Sequence, residues 1–420
     1  MNIMIDSNKP IIRFKNVKLI KNGRLVVDDL WIQDDIIINP EPLFFEQQKE
    51  ADIVVDCQRA IIAPATLFYL FDLIILTGGF GYDFSTPEID INQALNVVGT
   101  NLVRYGVTSF CPTLITQPSS NYRMLLPRMK RGPIIGGANI LGIHVEGPFI
   151  NPEKKGAHPE RYIQNEINSI EQIEQYYHDL SNVSIMTIAP ELDRNNVCKQ
   201  LVCKGIVVSL GHSNACLDDS ENAFRNGASM ITHLFNAMPL FHHRDPGLLG
   251  LLTIDSERQM YYGIIADGIH THYSALRLAF YANRTGMVLV SDAISAAGLE
   301  TGLHKIGCEM IEIKNDHAYL AGTNTLCGSI ATLDHCVRYL QSKVPDCSIV
   351  DAIECATLHP ARVLGIEHRK GTLEFGADAD FIILNDQLEI LSTFVAGKCV
   401  FIDSERMKQM KIEINKVFCT

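Results

Sequence analysis

The sequence predicts an α/β fold, a (β/α)8 TIM-like barrel carrying a small β-sandwich domain formed from both chain ends. Three observations predict it. Apolar runs of strand length alternate with helix-like amphipathic stretches through the middle of the chain, β-rich text recurs at both ends, and polar residues recur where the apolar runs stop. The 420 residues suit one large barrel with a smaller attachment, and 47% hydrophobic against 20% charged residues supply a sizeable core.

From residue 11 to 62, short β-rich runs (IIRFKNVKLI, RLVVDDLWI, DIVVDC) are broken by Asn-Gly and Asp-Asp turns, and the same texture returns near the end in TLEFG, ADFIILN, LSTFVAG and KCVFI. Residues 1–62 with 370–420 are therefore expected to form the small domain, and 63–369 the barrel. Within the barrel, VTSFCPTL, NILGIHVEG, VSIMTIAP, GIVVSLGHS, SMITHLFNA, YYGIIADG and GMVLVSDA read as buried parallel strands, and the run at 70–76 makes eight. Helices are expected at 91–104, 168–181, 218–226 and 273–284. Leu326–Ile330 (LCGSI) reads as a loop leading into a helix.

Composition excludes several classes of function. Thirty-six Lys and Arg against 48 Asp and Glu, a net charge of -12, no basic run and a single Trp argue against nucleic-acid binding. An acidic protein that binds an anionic metabolite needs a local cluster of Arg, His and backbone N–H groups. The most apolar stretch, Ile61 to Leu76, contains Pro64 and Asp72 and is too short to span a bilayer, so no membrane association is expected. The 12 cysteines include no C-x-x-C pair, and MNIMIDSNKP lacks the pattern of a secretory signal; free thiols and a cytoplasmic location are expected.

Glu146, Pro190-Glu191, His212, His233, Asp267 and Asp292 stand where apolar runs end, roughly 20 to 45 residues apart, about one strand–helix unit each. If the runs are barrel strands, these side chains converge on one mouth. Glu146, His212 and His233 are one carboxylate and two imidazoles, a catalytic metal set with an open position. Such a metal acidifies water and polarises a carbonyl, which suits amide hydrolysis. Asp292, among small residues in VSDAISAAG, can take a proton from the attacking water and return it to the departing amine. Each residue has a plainer reading as a cap, an ion-pair partner or a satisfied histidine; their joint placement favours the metal. His144, two before Glu146, shares its strand face and is expected to line or support the site.

The motifs HVEGPFINPEKKGAHP (144–159), SLGHS (209–213), THLFNAMPLFHHRDPGLLG (232–250), IADGIHTH (265–272), VSDAISAAG (290–298) and AGTNTLCGSI (321–330) resemble those of the N-acetylglucosamine-6-phosphate deacetylases, a family of the amidohydrolase superfamily. The resemblance covers residues 78 to 400 and implies hydrolytic deacetylation of N-acetylglucosamine 6-phosphate, with Glu146, His212 and His233 on the metal and Asp292 as proton shuttle. It further implies substrate contacts by His158, Asn236, Ala237, Arg244 and His270, with Arg244 reaching the phosphate from the partner subunit of a homodimer. His242 and His243 read as surface loop residues. One divalent ion per subunit is expected, zinc first among zinc, iron, cobalt and manganese.

One segment departs from the family. Its first barrel strand reads close to A-P-G-F-I-D-x-Q-x-N-G-G, whereas here Ala63-Pro64-Ala65-Thr66 is followed by LFYLFDLIIL and Thr77-Gly78-Gly79. The polar side chains that would point into the mouth are missing, which implies one metal at most and leaves Asp72 as a substitute for the strand-one Asp. Two other readings stay open: a related amidohydrolase acting on another N-acyl sugar or a cyclic amide, and a non-catalytic barrel disabled by this strand.

Overall fold

The computed structural model describes residues 9–21, 23–68, 78–306, 309–315, 317–323 and 326–414. At its centre a parallel sheet curls into a barrel. Its strands are β1 (Thr66–Phe68), β2 (Val107–Phe110), β3 (Ile143–Glu146), β4 (Val183–Ile188), β5 (Val207–Leu210), β6 (Met230–Ile231), β7 (Tyr261–Ile265) and β8 (Met287–Val290). From β3 to β8 each strand pairs in parallel with the next, and β1 pairs in parallel with β2. The second and third strands meet in two pieces: β2 pairs with Asn139–Ile140, and Thr113–Leu114 pairs with β3. Among the described residues no ladder joins β8 to β1.

Every residue of β3, β4 and β8 is buried, as expected for parallel strands covered on one face by helices and filled with side chains on the other. The helices form at Ile91–Leu102, Ile170–Tyr177, Leu217–Arg225 and Tyr273–Asn283, inside or within one residue of the expected ranges. Asp90 starts the first by accepting from the N–H groups of Asn92 and Gln93, and Ser169 caps the second through Gln172. Ile91, Ala94, Leu95, Val98 and Leu102 then recur at helical spacing and face the core.

Three expectations need correction or fall outside view. The strand expected at 70–76, with Asp72, lies outside the described residues; the first barrel strand is Thr66–Phe68, begun one residue after Pro64 leaves the terminal sheet. Thr66 Oγ1 anchors it by donating to the carbonyl of Gly106 at 2.7 Å. TLEFG is not a strand. Leu326–Gly328 is a strand and not a loop: it closes an antiparallel sheet with Gly302–Ile306, Glu309–Lys314 and His317–Leu320. Ile311 and Ile313 alternate inward there and bury against Ile294 and Ala296 beyond β8.

Ile11–Lys21, Arg24–Gln33, Ile36–Ile37, Ile53–Asp56 and Ile61–Pro64 join Phe381–Leu384, Ile390–Val395 and Lys398–Ile402 in one eight-stranded sheet. The first of these strands changes partner at Asn16 (φ 58°), pairing with Ile53–Asp56 before it and with Ile61–Ile62 after it. Phe14, Phe381 and Phe394 pack at the centre of this sheet's own core, with ring centroids 4.4 to 5.4 Å apart. Nearby, burial opposes the charge of Lys370, but Asp378 at 3.0 Å and Asp380 at 2.6 Å outweigh it and raise the lysine's pKa. Among the described residues no helix is long and apolar enough to cross a membrane.

Candidate metal centre

The parallel sheet delivers three expected ligands to one point. Glu146 is the last residue of β3, while His212 and His233 each stand two residues past β5 and β6. One oxygen or nitrogen from each of the three lies within 4.8 Å of the others, and all three side chains are fully buried. His212 Nε2 is 3.0 Å and His233 Nε2 3.8 Å from Glu146 Oε1.

Hydrogen bonding decides what this cluster can hold. His212 Nδ1 lies 2.6 Å from the carbonyl oxygen of Lys154, so that nitrogen donates and Nε2 carries the lone pair in the neutral ring. Burial lowers the His212 pKa to about 4, and burial with the neighbouring His212 pulls His233 well below the ordinary range. Both rings are neutral at pH 7. A nitrogen lone pair facing a carboxylate oxygen at 3.0 Å is repulsive unless a proton or a cation sits between them. His233, fully buried, has neither ring nitrogen hydrogen-bonded. Two neutral imidazoles and a carboxylate, out of water and mutually facing, fit a divalent ion.

His212 (φ 48°), His233 (φ 25°) and Asp292 (φ 52°) all have left-handed backbone, a conformation non-glycine residues adopt at a cost. Local sequence permits it. Gly211 precedes His212 where a Cβ would come 2.7 Å from the Thr232 Cβ, so the chain can turn there only without a side chain. Asp292 lies two residues past β8, with 2% of its surface exposed, at the same end of the sheet.

The remaining expected residues all lie on loops that follow barrel strands. His158, 1% exposed, packs edge-on against His212 with centroids 4.5 Å apart, and its Nδ1 meets Thr116 Oγ1 at 2.7 Å; its Nε2 is buried without a hydrogen bond. Asn236 and Ala237 follow His233 in a tight loop, where the Asn236 N–H donates to the His233 carbonyl and the Ala237 carbonyl accepts from Ser213 N. His270 Nδ1 pairs with Asp267 Oδ2 at 2.6 Å. Burial works against the Asp267 charge, yet His270 and the N–H groups of Ile269 and His270 hold its carboxyl below the usual range. His272 instead caps the helix at 273, its side chain accepting from Ser274 N. Arg244 is exposed on the loop with His242 and His243 and makes no ion pair with Asp245, whose carboxylate accepts from Leu217 N and Gly247 N. Within one chain, Arg244 is not brought to the trio.

His144 is expected to line or support the site; the groups that hold it left little trace in the sequence. His144 is held between Thr113 Oγ1 (3.2 Å) and Thr187 Oγ1 (2.8 Å), and Thr187, Thr232 and Ser209 continue the hydrogen-bonded chain across the barrel interior. The His212 partner is a backbone carbonyl, which no residue type announces. Thr113, Thr187 and Thr232, each at or beside the end of a barrel strand, are the signal that could have found them. Beside the loops that follow β7 and β8 a cleft of about 610 Å3 is lined by Asp267, Ile269, Ser329, Ile330 and Tyr339.

Known proteins resemble this chain in sequence and fold. Residues 66–400 match the amidohydrolase family. The chain is 49% identical over 403 residues to N-acetylglucosamine-6-phosphate deacetylase of Danio rerio, covering 94% of this chain and 98% of that protein. It is 46% identical over 399 residues to the Homo sapiens enzyme of the same name, covering 93% and 96%. Among solved structures, a mutant N-acetyl-D-glucosamine-6-phosphate deacetylase from Mycobacterium smegmatis in complex with N-acetyl-D-glucosamine-6-phosphate superposes with TM-score 0.76 at 26% identity, covering 93% of this chain and 99% of that one. The Pasteurella multocida deacetylase gives TM-score 0.76, also at 26% identity, over 94% and 100%. With its match running from the first barrel strand into the terminal sheet, this chain belongs to the amidohydrolase family, among the N-acetylglucosamine-6-phosphate deacetylases.

Proposed function

We propose that this chain hydrolyses N-acetylglucosamine 6-phosphate to glucosamine 6-phosphate and acetate. The observation that carries the reading is the buried trio of Glu146, His212 and His233, neutral imidazoles facing a carboxylate, in a chain related along nearly its whole length to deacetylases. Glu146, His212 and His233 would hold a divalent ion, zinc by preference, which would supply Lewis acidity toward the acetamide carbonyl and acidify water. Asp292 takes the proton of the attacking water and passes it to the amine nitrogen as the C–N bond breaks, so acetate and a free amine leave together. His158, beside His212 with a free Nε2, contacts the sugar. Asn236, Ala237 and His270 bind its hydroxyl and phosphate groups, His270 being held in place by Asp267.

Arg244 is assigned to the phosphate across a homodimer, because it is an unpaired guanidinium on an exposed loop and the guanidinium fork suits paired phosphate oxygens. Residues 1–62 with 370–420 are assigned to the terminal domain, whose strand Ile61–Pro64 runs two residues past that boundary, and 63–369 to the catalytic barrel, in a cytoplasmic enzyme. The test is acetate release from N-acetylglucosamine 6-phosphate by purified protein supplied with Zn2+. Folded, metal-loaded protein that releases none refutes the reading. Equal kcat/KM with N-acetylglucosamine lacking the phosphate removes Arg244 and His270 from their roles.

A further inference from the structure

Glu191, just past the end of β4, touches none of the three expected ligands, yet its carboxylate joins the loops that follow β3 and β5, which start beside Glu146 and His212. Oε1 accepts from Asn151 Nδ2 at 2.9 Å and from the Asn214 N–H at 2.6 Å; Oε2 accepts from the Ser213 hydroxyl at 2.6 Å. Asn151 and Lys154 lie on the loop after β3, and Ser213 and Asn214 directly follow His212. The two loops also meet where Asn151 N donates to the His212 carbonyl at 2.9 Å. Asn151 then turns the chain, its Oδ1 accepting from Glu153 N at 2.9 Å and its carbonyl from Lys154 N at 3.0 Å, so that the Lys154 carbonyl faces His212 Nδ1 at 2.6 Å.

We infer that Glu191 is the positioning residue of the metal centre, clamping the loops after β3 and β5 so that the Lys154 carbonyl fixes the tautomer and tilt of His212. A residue with only Glu191's place in the sequence would be an ordinary capping acid. Three charge-assisted hydrogen bonds spread over two loops make it a clamp, because their removal leaves the loops tied by the Asn151 N–H to the His212 carbonyl and by Asn214 Nδ2 to Glu153 Oε2 at 2.7 Å, and so loosens Lys154 against His212. Groups that orient a ligand histidine through its second nitrogen typically govern metal affinity. The inference rests on the assignment of Glu146, His212 and His233 as ligands.

Zn2+ affinity is measured by competition with a chromophoric chelator on the full chain, for wild type, Glu191→Ala, Glu191→Gln and His212→Ala, together with the thermal midpoint of each metal-free protein. Glu191→Ala is expected to bind Zn2+ about 10- to 100-fold more weakly, with a metal-free midpoint within a few degrees of wild type and KM at saturating Zn2+ within about twofold. Glu191→Gln keeps an acceptor for Asn151 and Asn214 and donates to the Ser213 hydroxyl, so it recovers most of the affinity. Should Glu191→Ala fail to fold, Asn151→Ala, which cuts one arm of the clamp, shows the same weakening in smaller measure. Undiminished Zn2+ affinity in Glu191→Ala, or a loss that Gln does not rescue and that the metal-free midpoint shares, overturns the inference. Loss in His212→Ala with none in Glu191→Ala removes the clamp alone, whereas undiminished affinity in His212→Ala overturns the ligand assignment beneath it.

Discussion

His233 and His359 are both buried histidines of one barrel, and the fold treats them oppositely. His359, on the helix Leu358–Leu364, gives its Nδ1–H to the carbonyl of Met287 at 2.7 Å, where β8 begins. His233, beyond the end of β6 at the opposite mouth, has no hydrogen bond on either nitrogen and left-handed backbone besides. Burial lowers the pKa of each, to about 4 for His359 and well below the ordinary range for His233. Desolvation is thus common to both and says nothing about role. What separates them is satisfaction: a partnered imidazole holds a fold together, while an unpartnered one in the same dry interior is a standing cost that only a ligand offsets.

The largest effect that sharpens this contrast is catalytic. Asp292→Asn is expected to lower kcat about 10²- to 10⁴-fold, the range of a lost general base, while Zn2+ content by elemental analysis stays at the wild-type level. Should the ion be lost as well, Asp292 belongs with the ligands and not with the proton transfer.

Metal removal comes next. Dialysis against chelator should reduce wild-type stability by about 3 to 4 kcal/mol relative to protein with metal at 100 to 1,000 times its Kd, read as a lower thermal midpoint. His233→Ala should show no such difference between its two forms. An equal shift in that variant breaks the assignment of His233 to the ion.

His359→Ala should destabilise the protein by about 2 to 3 kcal/mol, through the orphaned Met287 carbonyl and a small void, with Zn2+ affinity unchanged. It should also flatten the acid limb of stability. The wild-type ring is neutral when folded but titrates near 6.5 when unfolded, so as pH falls the unfolded chain takes up a proton that the fold refuses. Stability is therefore lost from about pH 6.5 down to about 4 and levels off below that. Denaturant titrations across this window locate the effect, and an unchanged slope in the variant assigns it elsewhere.

The smallest effect is the surface control. Lys204 and Glu174 pair at 2.6 Å, but each is 44% exposed. Lys204→Ala should change stability by less than about 1 kcal/mol in chemical denaturation, and a larger loss would show that exposure fails to discount this pair.

Residues whose role is written in side-chain type were legible in the sequence. Apolar runs such as VSIMTI became fully buried strands, and a Glu or His just past such a run was enough to place the candidate ligands. The support was not legible, because backbone atoms provide it: the Lys154 carbonyl that orients His212 and the N–H groups that hold Asp267 are common to every residue type. Glu191 stood at a strand end in the sequence, but three hydrogen bonds to two distant loops have no local signature. The sheet from Gly302 to Gly328 escaped although Ile311 and Ile313 alternate inward, because its other strands are short and largely half-exposed, and the three residues of strand in LCGSI are too few to show a period.

The terminal sheet carries a consequence for how the molecule is made. Lys18 pairs with Asp386 at 2.6 Å across 368 residues of chain, and Ile61–Pro64, paired with Ile11–Lys21 on one side, finds its other neighbour in Phe381–Leu384. At ribosomal rates the wait between the two partners is roughly 20 to 70 s, during which the barrel's helices and strands have local partners and the edge of Ile61–Pro64 does not. A newborn chain thus carries one unpaired β edge for most of its synthesis, a row of open N–H and C=O groups that other chains can pair with.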